Sequence, residues 1–239
     1  MLDRQAGDLV MTYRTLAAGL AAAVATAAPV MAQEAGSWTV DGRVGWVSDY
    51  RDRGYTLSAG DPSVQGEITL AHASGLYGGI WSAGIEEYGV GGDGDGATVE
   101  VTLYAGWAGQ VGAFDVDLGV WQNVYPDGDG VNYVEFPVQA GRTFGDATLA
   151  AGVVWAPGQT GTGDEANTWL WTRFDYAPEA WPVSLHASLG HEDGGFAPDG
   201  KTDWSLGVAA PVGPVTLGLD FVDSDTEDSA VVASVFWGF

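Results

Sequence analysis

From Ser37 to Phe239, apolar side chains recur at alternate positions in runs of about ten residues, broken by clusters of Gly, Asp and Pro. A period of two belongs to strands whose two faces meet different surroundings. The runs fall at 38–48, 64–73, 76–86, 98–108, 113–124, 131–141, 147–156, 167–177, 181–191, 202–210, 214–223 and 229–239, which predicts twelve strands. The connections sort by length. Those at 49–63, 87–97, 125–130, 157–166, 192–201 and 224–228 are mostly longer and Asp-rich, whereas those at 74–75, 109–112, 142–146, 178–180 and 211–213 are tight. Alternation of long and short connections is the pattern of an up-and-down barrel with long outer loops and short periplasmic turns. An even strand number puts both ends of the barrel on the short-turn side.

The two faces of the strands differ in polarity. One carries Val40 and Val44, Ile68 and Leu70, Leu103 and Ala105, Leu118 and Val120, Leu185 and Leu189, and Leu217 and Leu219, with no charge among them. Aromatic residues end this face, with Trp38, Trp107, Phe114, Trp237 and Phe239 toward the short turns and Trp46, Trp155 and Trp204 toward the long loops. Two aromatic girdles at headgroup level are the pattern of a membrane barrel. The opposite face carries Asp41, Arg43, Glu67, Glu100, Asp115, Asp117, Glu135, Arg173, Asp175, Asp203 and Asp220. Charges at this density inside a small soluble barrel would be hard to satisfy, whereas a hydrated lumen tolerates them. The expected fold is therefore all-β, a transmembrane up-and-down antiparallel barrel of about twelve strands. Two runs fit poorly: 76–86 does not declare its apolar face, and Pro137 removes a ladder hydrogen bond within 131–141.

The formal charge of -24, from 32 acidic against 8 basic residues, argues against a nucleic-acid partner, which needs basic patches. With 46% hydrophobic residues and 11 Trp the chain is nonetheless too apolar to be disordered. Cys is absent, which excludes disulfides and thiolate metal sites. Arg14, the Ala-rich run from Leu16 to Ala27 and the small-x-small Val30-Met31-Ala32 read as a cleaved export signal over 11–32. Residues 1–10 then read as upstream sequence from a misassigned start, and 33–239 as the barrel. The last run, ending Val235, Trp237, Phe239, has the aromatic terminus by which such a strand is presented to the barrel-assembly machinery.

Ser48-Asp49-Tyr50-Arg51-Asp52-Arg53-Gly54, SGLYGGIW at 74–81, VEVTLYAGW at 99–107, NYVEF at 132–136 and DWSLGV at 203–208 together resemble the TorF-type porin family of Gram-negative outer membranes. The resemblance covers nearly all of 33–239 and implies a barrel and a channel, without fixing a solute.

Asp49, Arg51 and Arg53 in the first long loop are candidates for an inward-folded constriction, or for an ion-pair cluster that only stabilises the loop. The inward carboxylates outnumber Arg43 and Arg173, so the lumen is expected to favour small cationic or neutral solutes if it conducts. They could instead pair with those arginines and with Tyr104, Tyr133 and His186, plugging a narrow barrel. Glycine spacing at 89–94 satisfies GxGxxG without a following helix and reads as loop. His72, His186 and His191 lack metal-ligand spacing, and Ser184, His186 and Ser188 face the lumen, away from lipid. No catalytic site, metal or cofactor is expected. The partners expected are outer-membrane lipid and the assembly machinery, with a non-conducting structural barrel as the alternative to a channel.

Overall fold

The computed structural model describes residues 37–89 and 96–239. The expected export signal, the upstream extension and the glycine run at 90–95 lie outside the described residues. Among the described residues there are fourteen strands: β1 Trp38–Val47, β2 Arg51–Asp52, β3 Tyr55–Thr56, β4 Ser63–His72, β5 Leu76–Tyr88, β6 Ala97–Val111, β7 Phe114–Val124, β8 Tyr133–Phe144, β9 Ala147–Ala156, β10 Asn167–Tyr176, β11 Ser184–Gly194, β12 Ala197–Val212, β13 Val215–Ser224 and β14 Ala230–Gly238. Strands β2 and β3 form a separate two-stranded hairpin, and the other twelve close into an antiparallel barrel in which each strand pairs with its chain neighbours. The ends are joined by β1 against β14, from Arg43↔Gly238 to Val47↔Ser234. Phe239 extends this seam, donating from its N–H to the Gly42 carbonyl and accepting from the Gly42 N–H, both at 2.9 Å.

Exposure follows the alternation. Val40, Val64, Ile68, Leu103, Leu118, Leu170, Leu189, Leu206 and Leu219 all point outward with two-fifths or more of their surface uncovered. The girdle residues Trp38, Phe114, Trp237 and Phe239 are exposed at one rim, and Trp46, Trp155 and Trp204 toward the other. So wide an apolar belt matches a bilayer, and a closed sheet leaves no unpaired backbone facing it.

The two misfit runs have physical explanations. In β5 the outward residues are Leu76 and Ile80, while Trp81 and Ala83 on the inner side are 2% and 1% exposed, so both faces are apolar. Glycines interrupt the pattern because they receive rings from across the sheet. Gly79 pairs with Tyr104 and Gly106 with Tyr77, and a Cβ on Gly79 would lie 2.5 Å from the Tyr104 hydroxyl and 2.4 Å from the Ile68 carbonyl oxygen. Pro137 remains within β8, and the pairing with β7 omits its neighbourhood, passing from Leu118↔Val138 to Trp121↔Glu135.

Two connections differ from expectation: β10 and β11 are joined by residues 177–183, longer than the tight turn expected at 178–180, and the second lies between β11 and β12. Residues 192–201 are not a long loop: β11 and β12 run on through them with Glu192↔Lys201 paired, and turn at Gly195 and Phe196. The Asp, Gly and Pro content marks this segment as loop, but Glu192 and Lys201 continue the inward parity of their strands, and their burial holds the segment as strand, with a register shift between Glu192 and Gly194 near the turn.

A charge in the apolar belt tests the assignment of faces. Leu103→Arg, near the middle of β6, is expected to destabilise the barrel in lipid by about 2–4 kcal/mol, read as a lower urea midpoint for reversible folding into vesicles. An unchanged midpoint would mean that this face does not contact lipid.

Candidate functional site

The first long connection folds into the barrel. Its base is fixed by Asp49, whose Oδ2 accepts from Arg51 Nε at 2.6 Å and whose Oδ1 accepts from the Thr56 hydroxyl at 2.6 Å. Arg51 also donates to the Asp228 carbonyl at 2.7 Å, which ties the loop to the β13–β14 connection. The Glu86 N–H donates to the Leu57 carbonyl at 2.7 Å, so the hairpin docks on the upper end of β5 by backbone. Below it lies an apolar cluster of Val47, Tyr50, Trp81, Ala83, Tyr104, Val222, Val232 and Phe236. Hydrophobic packing thus holds the hairpin inside what would otherwise be open lumen.

At the hairpin tip Arg53 takes a positive φ of 49°, followed by Gly54 at 87°. This turn projects the Arg53 side chain across the barrel. Its Nη2 meets Glu135 Oε1 on β8 at 2.8 Å and its Nη1 meets Glu192 Oε1 on β11 at 2.9 Å, while the guanidinium stacks 5.0 Å from the Trp169 ring. Lys201, with 0% exposure, bridges to Glu192 Oε2 at 3.0 Å and donates to the Arg53 carbonyl. Burial alone would lower the Arg53 pKa, but Glu135, Asp52 and Glu192 outweigh it and raise it well above the ordinary value, so the charge is held firmly. Burial, then Glu100 and Asp52, push the Tyr50 hydroxyl up. Tyr50 therefore stays a donor, to Glu100 at 3.0 Å, and Tyr125 donates to the same carboxylate at 2.9 Å.

The other expected lumen residues lie on the inner wall in local pairs. Arg43 meets Glu67 at 2.8 Å, Arg173 meets Asp175 at 2.8 Å, and Glu67 accepts from Tyr104 at 2.9 Å. Asp117 accepts from Tyr77 at 2.7 Å, Asp115 from Gln110 at 3.2 Å and Asp203 from the Trp169 indole at 2.9 Å. Asp220 meets His186, and Ser188 meets Ser205 at 2.6 Å. Asp41, on β1, is engaged as well. Of the three loop candidates only Arg53 reaches the centre of the lumen, whereas Asp49 and Arg51 brace the hairpin from its base.

The hairpin tip divides the interior. Toward the long loops lies a cavity of about 250 Å³ bounded by Tyr55, Glu87, Tyr88, Tyr125 and Phe196. Toward the barrel middle lies one of about 120 Å³ bounded by Trp81, Trp121, Trp171, Arg173 and His186. Asp52, Arg53 and Tyr133 line both. Two principal residues of this partition, Glu192 and Lys201, escape the sequence reading because their segment reads as loop. Continuing the parity of His186 and Ser188 to Glu192, and of Asp203 and Ser205 back to Lys201, would have placed both inside.

A sequence model of a family described as "Bacterial protein of unknown function (Gcw_chp)" matches residues 31–236. The chain belongs to the Gcw_chp family. No curated protein matches it. Among solved structures, this Gcw_chp chain is similar to the KdgM porin, with a TM-score of 0.59 at 9% identity over 84% of this chain and 98% of that one. The KdgM porin in complex with disordered oligogalacturonate gives 0.58 at 9% identity over the same 84% and 98%. The COG4313 outer membrane channel from Pseudomonas putida F1 gives 0.50 at 13% identity, covering 87% and 97%. At such identities the likeness establishes the fold: the Gcw_chp barrel is built like outer-membrane porins.

If Asp49 fixes the hairpin, Asp49→Ala should loosen it while sparing the barrel. Trypsin cleavage after Arg51 or Arg53 is expected to accelerate at least tenfold, with the folded, heat-modifiable band retained on gels. Equal cleavage rates would show that Asp49 does not brace the loop.

Proposed function

We propose that this protein is an outer-membrane porin-like channel for passive passage of small, preferentially cationic solutes, with its constriction at Arg53. The observation that carries the reading is the inward hairpin, which partitions the lumen at a single guanidinium held by Glu135 on β8 and Glu192 on β11, on the wall across from the hairpin's own strands. A loop folded into an open barrel narrows it without closing the sheet. Arg53 is in direct contact with Glu135 and Glu192, at 2.8 and 2.9 Å, so a solute passes beside this cluster and meets fixed charges of both signs there. The interior as a whole is acidic: Asp41, Glu67, Glu100, Asp115, Asp117, Glu135, Asp175, Glu192, Asp203 and Asp220 stand against Arg43, Arg53, Arg173 and Lys201. Acidic rings select cations. The TorF-type resemblance and the porin-like fold support export to the outer membrane, with the short turns and the Phe239 seam on the periplasmic side.

The interior pairing also favours a second reading, a barrel plugged by its own loop and serving a structural role. Single-channel recording in planar bilayers separates the two. A small, cation-selective step in a KCl gradient is expected, and Arg53→Ala should enlarge the conductance at least twofold and change the reversal potential. Repeated silence from folded protein, in both wild type and Arg53→Ala, would overturn the channel reading in favour of the plug.

A further inference from the structure

The cavity on the long-loop side of Arg53 is more than an entrance. Tyr88, Tyr125, Tyr133 and Phe196 run along its wall as an unbroken series of ring contacts, with centroids 4.9, 6.1 and 4.9 Å apart. Tyr55 faces them from the hairpin, its hydroxyl donating to the Phe196 carbonyl at 3.2 Å. Around these rings stand the carboxylates of Asp52, Glu86, Glu87 and Glu192, against Arg53 as the one base among the described residues that line the cavity. Glu192 is committed to Arg53 and Lys201, and Glu86 and Glu87 are exposed at the mouth.

Aromatic faces carry negative charge density at their centres, and several rings around one space, backed by carboxylates, suit a cation too large and too weakly hydrated to be held by oxygen ligands alone. The barrel already uses this chemistry on its own side chains, with Lys201 Nζ 4.1 Å from the Tyr55 ring and Arg53 5.0 Å from Trp169. At about 250 Å³ the cavity accommodates a compact organic ammonium ion. We infer that this vestibule is a binding site for small organic cations, which it concentrates above the Arg53 constriction. The inference deepens the cation-preferring reading of the channel and rests on it for any role in transport, though binding at the site can be measured without conduction.

Calorimetric titration of the detergent-folded full chain with choline, and with its uncharged carbon isostere dimethylbutanol, tests it. Choline is expected to bind at least tenfold more tightly than the isostere, and also more tightly than glucose. Tyr88→Leu or Phe196→Leu should weaken choline binding by about threefold to tenfold, and Tyr88→Phe should preserve it. The comparison of choline with the isostere is made on wild-type protein and so does not depend on any variant folding. Equal affinity for the isostere or for glucose, or no choline binding by protein that conducts KCl, would overturn the inference while leaving the channel standing. Choline binding by protein that does not conduct would support the site and count against the channel.

Discussion

Every feature of this molecule follows from the requirement that a sheet surrounded by hydrocarbon pair all its backbone groups within itself. The only way for an antiparallel meander to do so is to close, and the seam from Gly42–Phe239 through Val47↔Ser234 is where it closes. Closure fixes the interior width, the interior width decides whether a loop can be accommodated, and the loop decides where solute and wall would meet. Outward apolar side chains and inward polar ones are then two consequences of one constraint.

The interior is nevertheless not simply wet. Beneath the hairpin, Trp81, Phe236, Val222 and Val232 form a packed apolar cluster inside a barrel whose outer surface is apolar too. Above and beside it, Arg53, Lys201, Glu135 and Glu192 are almost wholly buried and mutually paired. Charges so deeply removed from water persist only where each has partners, and removing one member leaves the others uncompensated. The hairpin is thereby fixed at both levels, by apolar contact below and by ion pairs at its tip, and Arg53 occupies a defined position in the lumen.

Strand periodicity is legible in the sequence wherever both the apolar and the polar members of a run are large, as in β1, β6, β7 and β13. It fails in β5, where Gly79 takes the place of an inward side chain because the Tyr104 ring fills the space from β6, as Tyr77 of β5 does over Gly106. It fails again at 192–201, where composition argues for a loop and parity argues for strand, and parity gives the better account. The acidic wall can be read from sequence because it repeats on one face. The partition around Arg53 cannot, since it depends on a loop turning inward and meeting residues on β8, β11 and β12, a three-dimensional convergence with no local signature.

The hydrogen bonds between Phe239 and Gly42 join the first and last strands of the barrel. Until they form, β1 and β14 each present an open edge, and an open edge invites pairing with any other exposed strand. Closure also joins strands far apart in sequence, and contacts of that kind form slowly. A barrel sealed in this manner has a hazardous interval between synthesis and completion, during which both edges are open to wrong pairing.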